Sequence, residues 1–146
     1  MASDIFNANR FPPAVAFGTG RILLVDENSA DLRFYSLLLA SQSYHVVPCS
    51  SFDDAAQQLE QATFDFIMVD QGTAAFEGRK ILERAIQQNR HRAVLVTTQA
   101  LDTHCYLEAM HLGAVDYLEK PLAPRHLVRL VRGHIGGPRA RMQGAV

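Results

Sequence analysis

Five side chains that can hold a phosphoryl group or a hard cation each follow a short apolar segment. Asp26 and Glu27 follow RILLV, Asp70 ends FDFIMVD, Thr97 ends AVLVT, and Lys120 lies in DYLEKP. Such apolar runs are typical of buried parallel strands, and ligands of an open α/β sheet bind at the carboxyl ends of its strands. We therefore expect one shared crevice. Three carboxylates beside an ammonium and a hydroxyl suit a hard divalent cation and a phosphoryl group.

The elements that must position these side chains alternate along the chain. The apolar runs predict strands over residues 21–26, 45–48, 64–70, 93–97 and 114–118. Helical periodicity predicts helices over 30–40, from Ser51 as N-cap to about 61, and over 79–88, 102–112 and 124–134. Ser29 is the predicted N-cap of the first helix, and Gly113 the glycine that ends the fourth. Five βα units indicate an α/β fold with a doubly wound parallel sheet and helices on both faces.

The domain organisation follows from the same pattern. Residues 1–20 contain a Pro-Pro pair and a Gly-Thr-Gly break, which predict a flexible leader. Residues 21–135 form the predicted domain, and residues 136–146 are predicted to be a disordered tail. The chain has 146 residues, which is enough for one domain with a developed core.

Composition limits the classes of partner. The net charge of −1 gives no electrostatic reason to expect nucleic acid or an anionic membrane as a direct partner. No apolar run is long enough to cross a bilayer, and the N-terminus does not resemble a signal peptide. Cys49 and Cys105 are far apart and match no metal-ligand spacing. We expect a cytoplasmic protein with reduced thiols.

Each candidate site residue also has a simpler structural interpretation. Asp26 and Glu27 could serve only as acidic residues before a helix N-terminus. Thr97 is a good strand former in any sheet, and Lys120 taken alone could be a surface lysine. Asp70 is the hardest to explain structurally, because it ends a strand that is apolar throughout, where unpaired charges are avoided. The combination of the five residues is therefore more informative than any one of them.

The chain from residue 21 to about 134 resembles the receiver domain of bacterial two-component response regulators. The segments that carry the resemblance are ILLVDEN, FDFIMVDQGTAAFEG, VLVTTQA and GAVDYLEKP, in that order. The resemblance implies a flavodoxin-like fold with strand order 2-1-3-4-5. It also implies a phosphorylation-dependent signalling switch that accepts a phosphoryl group from a histidine kinase or phosphotransfer protein. Such a module is not an enzyme beyond its own phosphorylation and self-dephosphorylation.

The resemblance implies a role for each site residue. Asp70 is the expected phosphoacceptor, and Lys120 is expected to pair with the phosphoryl oxygens. Mg²⁺, with Mn²⁺ able to substitute, is expected on Asp26, Glu27 and Asp70 and on the backbone carbonyl of Gly72. Thr97 is the expected switch hydroxyl, and Tyr117 the aromatic residue that turns inward behind it.

Some positions depart from the family pattern. Glu27 is one methylene longer than the usual Asp, Ala74 replaces a common proline, and Glu77 replaces a frequent Asp. Thr98 stands where Ala or Gly is usual, beside the expected switch residue, and we expect it to narrow access to Asp70.

The expected partners are a sensor kinase or phosphotransfer protein and a downstream output protein or domain. The fourth helix, fifth strand and fifth helix are the expected output surface and could form a homodimer. Arg125, Arg129 and Arg132 on the last helix are candidates for that surface. Residues after 134 are too few for a DNA-binding output domain, so we expect a receiver with no attached output domain, or else a piece of a longer regulator.

Two other functions of an α/β fold with clustered acids stay open at this point. A phosphohydrolase of the haloacid dehalogenase type also forms an aspartyl phosphate with Mg²⁺, but it places a second Asp two residues after a nucleophile on the first strand. Asn28 occupies that place and transfers protons poorly. A flavodoxin-type FMN protein would need a Ser/Thr/Gly-rich phosphate loop after the first strand, and DENSADLR is too acidic for that.

Overall fold

The computed structural model describes residues 20–135. The strands are β1 (Arg21–Val25), β2 (His45–Cys49), β3 (Phe66–Asp70), β4 (Ala93–Thr98) and β5 (Asp116–Glu119). The helices are α1 (Ser29–Ala40), α2 (Phe52–Gln61), α3 (Arg79–Gln88), α4 (Thr103–Leu112) and α5 (Pro124–His134). The five strands form one parallel sheet in the order β2-β1-β3-β4-β5. The predicted fold class and strand order are confirmed.

The sheet separates two apolar layers, because side chains alternate between the faces of a strand. On one face, residues such as Leu23, Ile67 and Val96 pack under α2, α3 and α4. On the other face, residues such as Leu24 and Met68 pack under α1 and α5. The central strands β1, β3 and β4 are buried on both faces along almost their whole length, which explains why their sequences are apolar without alternation.

The helix boundaries follow local capping. Asn28, not the predicted Ser29, is the N-cap of α1, because its side-chain oxygen accepts the N–H of Asp31 at 3.0 Å. Asn and Ser cap about equally well, so sequence could not choose between these neighbours. The Ser51 cap is confirmed by its bond to the N–H of Asp54. Gly113 ends α4 with φ at 110°, a left-handed conformation that favours glycine.

The remaining boundaries shift by one or two residues. Strand β3 starts at Phe66 rather than at 64, and β5 spans Asp116–Glu119 rather than 114–118. The predicted leader, apart from Gly20, and the predicted tail lie outside the described residues. No helix within residues 20–135 is long and apolar enough to span a membrane.

Candidate functional site

The ammonium group of Lys120 lies at the centre of the crevice, where the carboxyl ends of β1, β3 and β5 meet. Its Nζ is 2.7 Å from Oδ2 of Asp26, 2.9 Å from Oδ1 of Asp70 and 3.0 Å from Oδ2 of Asp31. The side chains of Lys120 and Asp26 are each 3% exposed, that of Asp70 10% and that of Asp31 28%. Three carboxylates therefore surround one buried cation, and the site carries excess negative charge.

Asp70 has two differently bonded oxygens. Oδ2 accepts the N–H of Gly72 at 2.9 Å, and Gly72 has φ at 88°, in the left-handed region that favours glycine. Oδ1 is buried and, among the described residues, has only the ion pair with Lys120 and no well-oriented hydrogen-bond donor. A buried oxygen in this state is unusual in a folded protein and calls for a physical explanation.

The backbone of Asp70 is held closely from the α3 side. Gly78 lies against it so tightly that a Cβ at that position would be 2.2 Å from the Asp70 carbonyl oxygen. Gly78 also donates its N–H to the Gln71 carbonyl at 3.0 Å. The requirement for glycine here is close approach, since its φ of −68° is open to any residue.

Electrostatics at the crevice favour a charged Lys120. Burial acts against its charge, but the interactions of its ammonium with the carboxylates of Asp26, Asp70 and Asp31 outweigh burial and raise the pKa of Lys120 above its usual range. Burial raises the pKa of Asp26, while the bonds from Lys120 and from the N–H of Asn28 work in the opposite direction. Asp26 thus depends on its partners to remain ionised in a buried place.

The two threonines at the end of β4 point to opposite faces of the sheet. Thr97 is opposite Asp70 on β3 and opposite Leu118 on β5. Thr98 continues the face of Val96, which is opposite Tyr117. Thr97 and Tyr117 therefore point to opposite faces in this structure, and the expected inward turn of Tyr117 behind Thr97 stays a prediction.

Thr98 is bonded within the loop that joins β4 to α4. Its hydroxyl donates to the Ala100 carbonyl at 2.8 Å and accepts the Ala100 N–H at 3.2 Å. Burial raises the pKa of the Tyr117 hydroxyl. Thr98 is the threonine of β4 that lies on the Tyr117 face of the sheet.

Tyr117 is buried and already directed inward. Its hydroxyl donates to the side-chain oxygen of Gln71 and accepts the N–H of Asp102, the N-cap of α4, at 3.2 Å. Gln71 follows Asp70 directly and donates its own N–H to the Thr97 carbonyl at 2.7 Å. A chain of hydrogen bonds therefore connects the residue after the candidate phosphoacceptor to the start of α4.

The predicted Mg²⁺ ligands are only partly assembled. Asp26 and Asp70 face the same Nζ, whereas Glu27 is exposed. Within residues 20–135 there is no group of three or more His, Cys, Asp or Glu side chains arranged to hold a metal ion. The donor set nevertheless fits Mg²⁺ chemically, because the oxygens are hard and the orphaned Oδ1 of Asp70 faces the crevice.

Sequence reasoning missed two members of the site. Gln71 gave no signal, since an amide after a strand is common in loops. Asp31 could have been found, because the first turn of the helix after β1 stands over the same crevice. Of the predicted residues, Asp26, Asp70 and Lys120 are brought into contact, and Thr97 is adjacent to Asp70 across the sheet.

Two surfaces lie outside the crevice. The start and exposed face of α4 carry large apolar side chains: Leu101, Tyr106, Leu107 and Met110. The three arginines of α5 that were assigned to the same surface instead line a groove against α1, together with Leu38 and Gln42. Arg132 donates to Gln42 at 3.2 Å, and the place of these arginines in an output surface stays a prediction.

Three curated proteins are similar to this chain in sequence. The chain is 39% identical over 110 residues to the alginate biosynthesis transcriptional regulatory protein AlgB of Pseudomonas aeruginosa, which covers 74% of this chain and 24% of AlgB. It is 31% identical over 101 residues to the transcriptional regulatory protein ZraR of Escherichia coli, covering 69% of this chain and 23% of ZraR. It is 30% identical over 119 residues to FixJ of Bradyrhizobium diazoefficiens, covering 80% of this chain and 57% of FixJ. The chain thus spans about a quarter of AlgB and ZraR.

Solved structures agree with the fold. A CheY-like receiver domain protein from Methanospirillum hungatei has a TM-score of 0.73 at 24% identity, covering 78% of this chain and 91% of that one. A receiver domain protein from Clostridium thermocellum has a TM-score of 0.74 at 23% identity, covering 87% and 99%. The family model of the response regulator receiver domain matches residues 22–132. The chain therefore belongs to the response regulator receiver domain family.

Proposed function

We propose that this receiver domain is a phosphorylation-dependent switch in which Asp70 accepts a phosphoryl group from a histidine kinase or phosphotransfer protein. The observation that carries the proposal is Oδ1 of Asp70, a buried oxygen without a well-oriented donor, 2.9 Å from the ammonium of Lys120. In the transfer, Oδ1 forms a bond to phosphorus as the P–N bond of the donor phosphohistidine breaks, and the leaving imidazole takes up a proton.

The surrounding residues divide the work of this transfer. The N–H of Gly72 orients Asp70 through Oδ2, which leaves Oδ1 to attack. Lys120 lies close enough to pair with a phosphoryl oxygen after a small shift and would neutralise part of its charge. We propose that Asp26, Glu27, Asp70 and the Gly72 carbonyl hold Mg²⁺, with Mn²⁺ as a substitute. When bound, the ion neutralises phosphoryl charge and orients the reacting oxygens.

The switch hydroxyl in this proposal is that of Thr97, which lies opposite Asp70 in the sheet and on the same face. The Gln71 N–H is bonded to the Thr97 carbonyl, so a movement of Thr97 toward a phosphoryl oxygen also moves the bond that holds Gln71. The Gln71 side chain accepts the Tyr117 hydroxyl, and Tyr117 is bonded to the α4 N-cap Asp102. The change can therefore reach α4. The exposed apolar side chains there supply an output surface that a downstream protein or a second copy of the chain could cover.

This function makes the chain a signalling module and not an enzyme acting on separate substrates. We place it in the cytoplasm, where free thiols such as those of Cys49 and Cys105 stay reduced. A haloacid dehalogenase-type hydrolase is not favoured. The residue at its acid/base position, Asn28, is engaged as the N-cap of α1, and the family match is to receivers.

Phosphorylation is tested by incubating the protein with acetyl phosphate or phosphoramidate and Mg²⁺, and with a phosphorylated phosphotransfer protein, followed by intact-mass measurement. We expect one phosphate on the wild type and on Asp53→Asn, a control at an exposed acid, and none on Asp70→Asn. An adduct that persists in Asp70→Asn contradicts the assignment, as does a wild type that none of the donors modifies.

A further inference from the structure

Asp31 forms an ion pair with Lys120 although the proposed transfer gives it no role. The carboxylates of Asp26, Asp31 and Asp70 lie 2.7–3.0 Å from Nζ, and Asp26 accepts a well-oriented hydrogen bond from it. A phosphoryl oxygen that approaches Lys120 must therefore compete with these carboxylates for its charge.

Asp31 also connects α1 to the loop that follows β4. The same oxygen, Oδ2, that faces Lys120 accepts the side-chain N–H of Gln99 at 2.9 Å. Gln99 is the residue after Thr98, at the start of the β4–α4 loop. The backbone N–H of Asp31 is itself fixed to the Asn28 side chain at 3.0 Å. One carboxylate thus ties together α1, the central lysine and the β4–α4 loop.

The three carboxylates differ in how easily they can release Lys120. Asp26 is 3% exposed and would be left as a buried charge, which is costly. Asp70 is the residue that reacts. The side chain of Asp31 is 28% exposed, so water can replace the lysine. Release from Asp31 is the least costly of the three.

We propose that Asp31 is a positioning residue that holds Lys120 and the β4–α4 loop in the unphosphorylated arrangement, and that Lys120 passes from Asp31 to the phosphoryl group on activation. The inference rests on the proposed phosphorylation of Asp70 and adds its regulation. By keeping a third negative charge beside the lysine, Asp31 slows entry of the anionic phosphoryl group. By holding Gln99, it keeps the loop in place until the lysine has moved.

The test compares Asp31→Ala with Asp53→Ala in the full chain. Asp53 is a matched control, because it also lies in the first turn of a helix and pairs with a lysine, Lys80, at 2.9 Å. The first measurement is amide exchange over residues 100–102 without any phosphoryl donor. The second is the rate of phosphorylation by acetyl phosphate with Mg²⁺, read by intact mass. Gln99→Ala and Asp31→Glu complete the set.

We expect Asp31→Ala to increase the rate of loop amide exchange and the rate of phosphorylation by about tenfold. This factor corresponds to the lower bound of the free energy of a hydrogen bond to a charged group. Asp53→Ala should match the wild type, and Asp31→Glu should restore slow phosphorylation. Gln99→Ala alters no charge and should also speed phosphorylation, with a less than additive effect in the double variant. A merely structural role would instead slow phosphorylation in Asp31→Ala.

Three results overturn the inference: loop exchange unchanged in Asp31→Ala, phosphorylation no faster than in Asp53→Ala, or acceleration by Asp31→Ala without any effect of Gln99→Ala. The last result would mean that Asp31 slows phosphorylation only by charge repulsion and not by holding the loop. If the loop responds but no variant, wild type included, takes phosphate on Asp70, the proposed function fails and its regulation with it, while the tie between Asp31 and the loop stands as a structural contact.

Discussion

Replacing Lys120 by methionine tests how much the charge of Lys120 contributes to the stability of the fold. Methionine keeps a long apolar side chain but removes the charge that faces Asp26, Asp70 and Asp31 at 2.7, 2.9 and 3.0 Å. Breaking a buried ion pair by removing one partner costs about 3–5 kcal/mol. Asp31 is 28% exposed and can be hydrated, so the lower end, about 3 kcal/mol, is expected at pH 8. At about 4 °C per kcal/mol, the melting temperature should fall by about 12 °C.

The stability that Lys120→Met loses should increase as the pH rises. Burial already raises the pKa of Asp26, and without Lys120 the folded-state pKa must rise further, because a bond that lowers it is gone. Below the unfolded-state pKa, near 4, the Asp26 carboxyl is protonated in both the folded and the unfolded state, and its burial does not lower the free energy of unfolding. As pH rises from there through the folded-state pKa, the folded protein must give up its proton in a buried place and the destabilisation becomes complete. Lys120 in the wild type has a raised pKa and holds its charge throughout this range.

Denaturant unfolding of Lys120→Met and wild type at pH 5 and pH 8 measures both effects. Lys80→Met is the control, because Lys80 forms an ion pair with Asp53 at side-chain exposures of 54% and 88% and should cost at most about 1 kcal/mol. The reasoning is refuted if Lys120→Met loses no more stability than Lys80→Met, or if its deficit is equal at the two pH values.

Three further outcomes are expected. Millimolar Mg²⁺ should raise the melting temperature by relieving carboxylate repulsion, and Asp26→Asn with Glu27→Gln should remove most of the rise; an unchanged response would put the ion elsewhere. Beryllofluoride should alter amide exchange over α4, and Thr97→Ala should reduce that response by a factor of about ten or more while Thr98→Ala reduces it less; the reverse ranking would move the switch role to Thr98. Burial raises the pKa of the Cys105 thiol to about 11, so iodoacetamide at pH 8 should modify it only slowly, with the rate increasing toward pH 11; complete labelling within minutes would mean that α4 opens readily.

The fold could be predicted from sequence because its signals are redundant. Three of the five strands, β1, β3 and β4, are apolar runs that burial explains, and each ends near a residue unsuited to a core. The crevice followed from topology alone, since carboxyl ends of parallel strands must meet: Asp26, Asp70 and Lys120 are in contact across 94 positions of sequence.

The sequence could not predict which of two adjacent residues directs its side chain to a given face or group. Thr97 and Thr98 are chemically identical neighbours, and only the pairing of β4 with β5 decides which faces Tyr117. Asn28 and Ser29 present the same ambiguity at the helix cap. Asp31 differs from these cases, because its place in the first turn of α1 could have predicted that it lies at the crevice, while its contact with Lys120 depends on how α1 packs on the sheet.

The tight fit of Gly78 against Asp70 has a consequence for how this domain can diversify. With a hypothetical Cβ only 2.2 Å from the Asp70 carbonyl oxygen, no other residue fits without moving the backbone that carries the candidate phosphoacceptor. On the β4 side, Gln99 and Ala100 are exposed to solvent, and the contact of Gln99 with Asp31 is a hydrogen bond between two side chains. Random mutagenesis of the crevice should therefore yield functional variants at the β4–α4 side and almost none at Gly78. Among evolved variants of this chain, substitutions that change the lifetime of the phosphorylated state should therefore accumulate on the β4–α4 side of the crevice and not at Gly78.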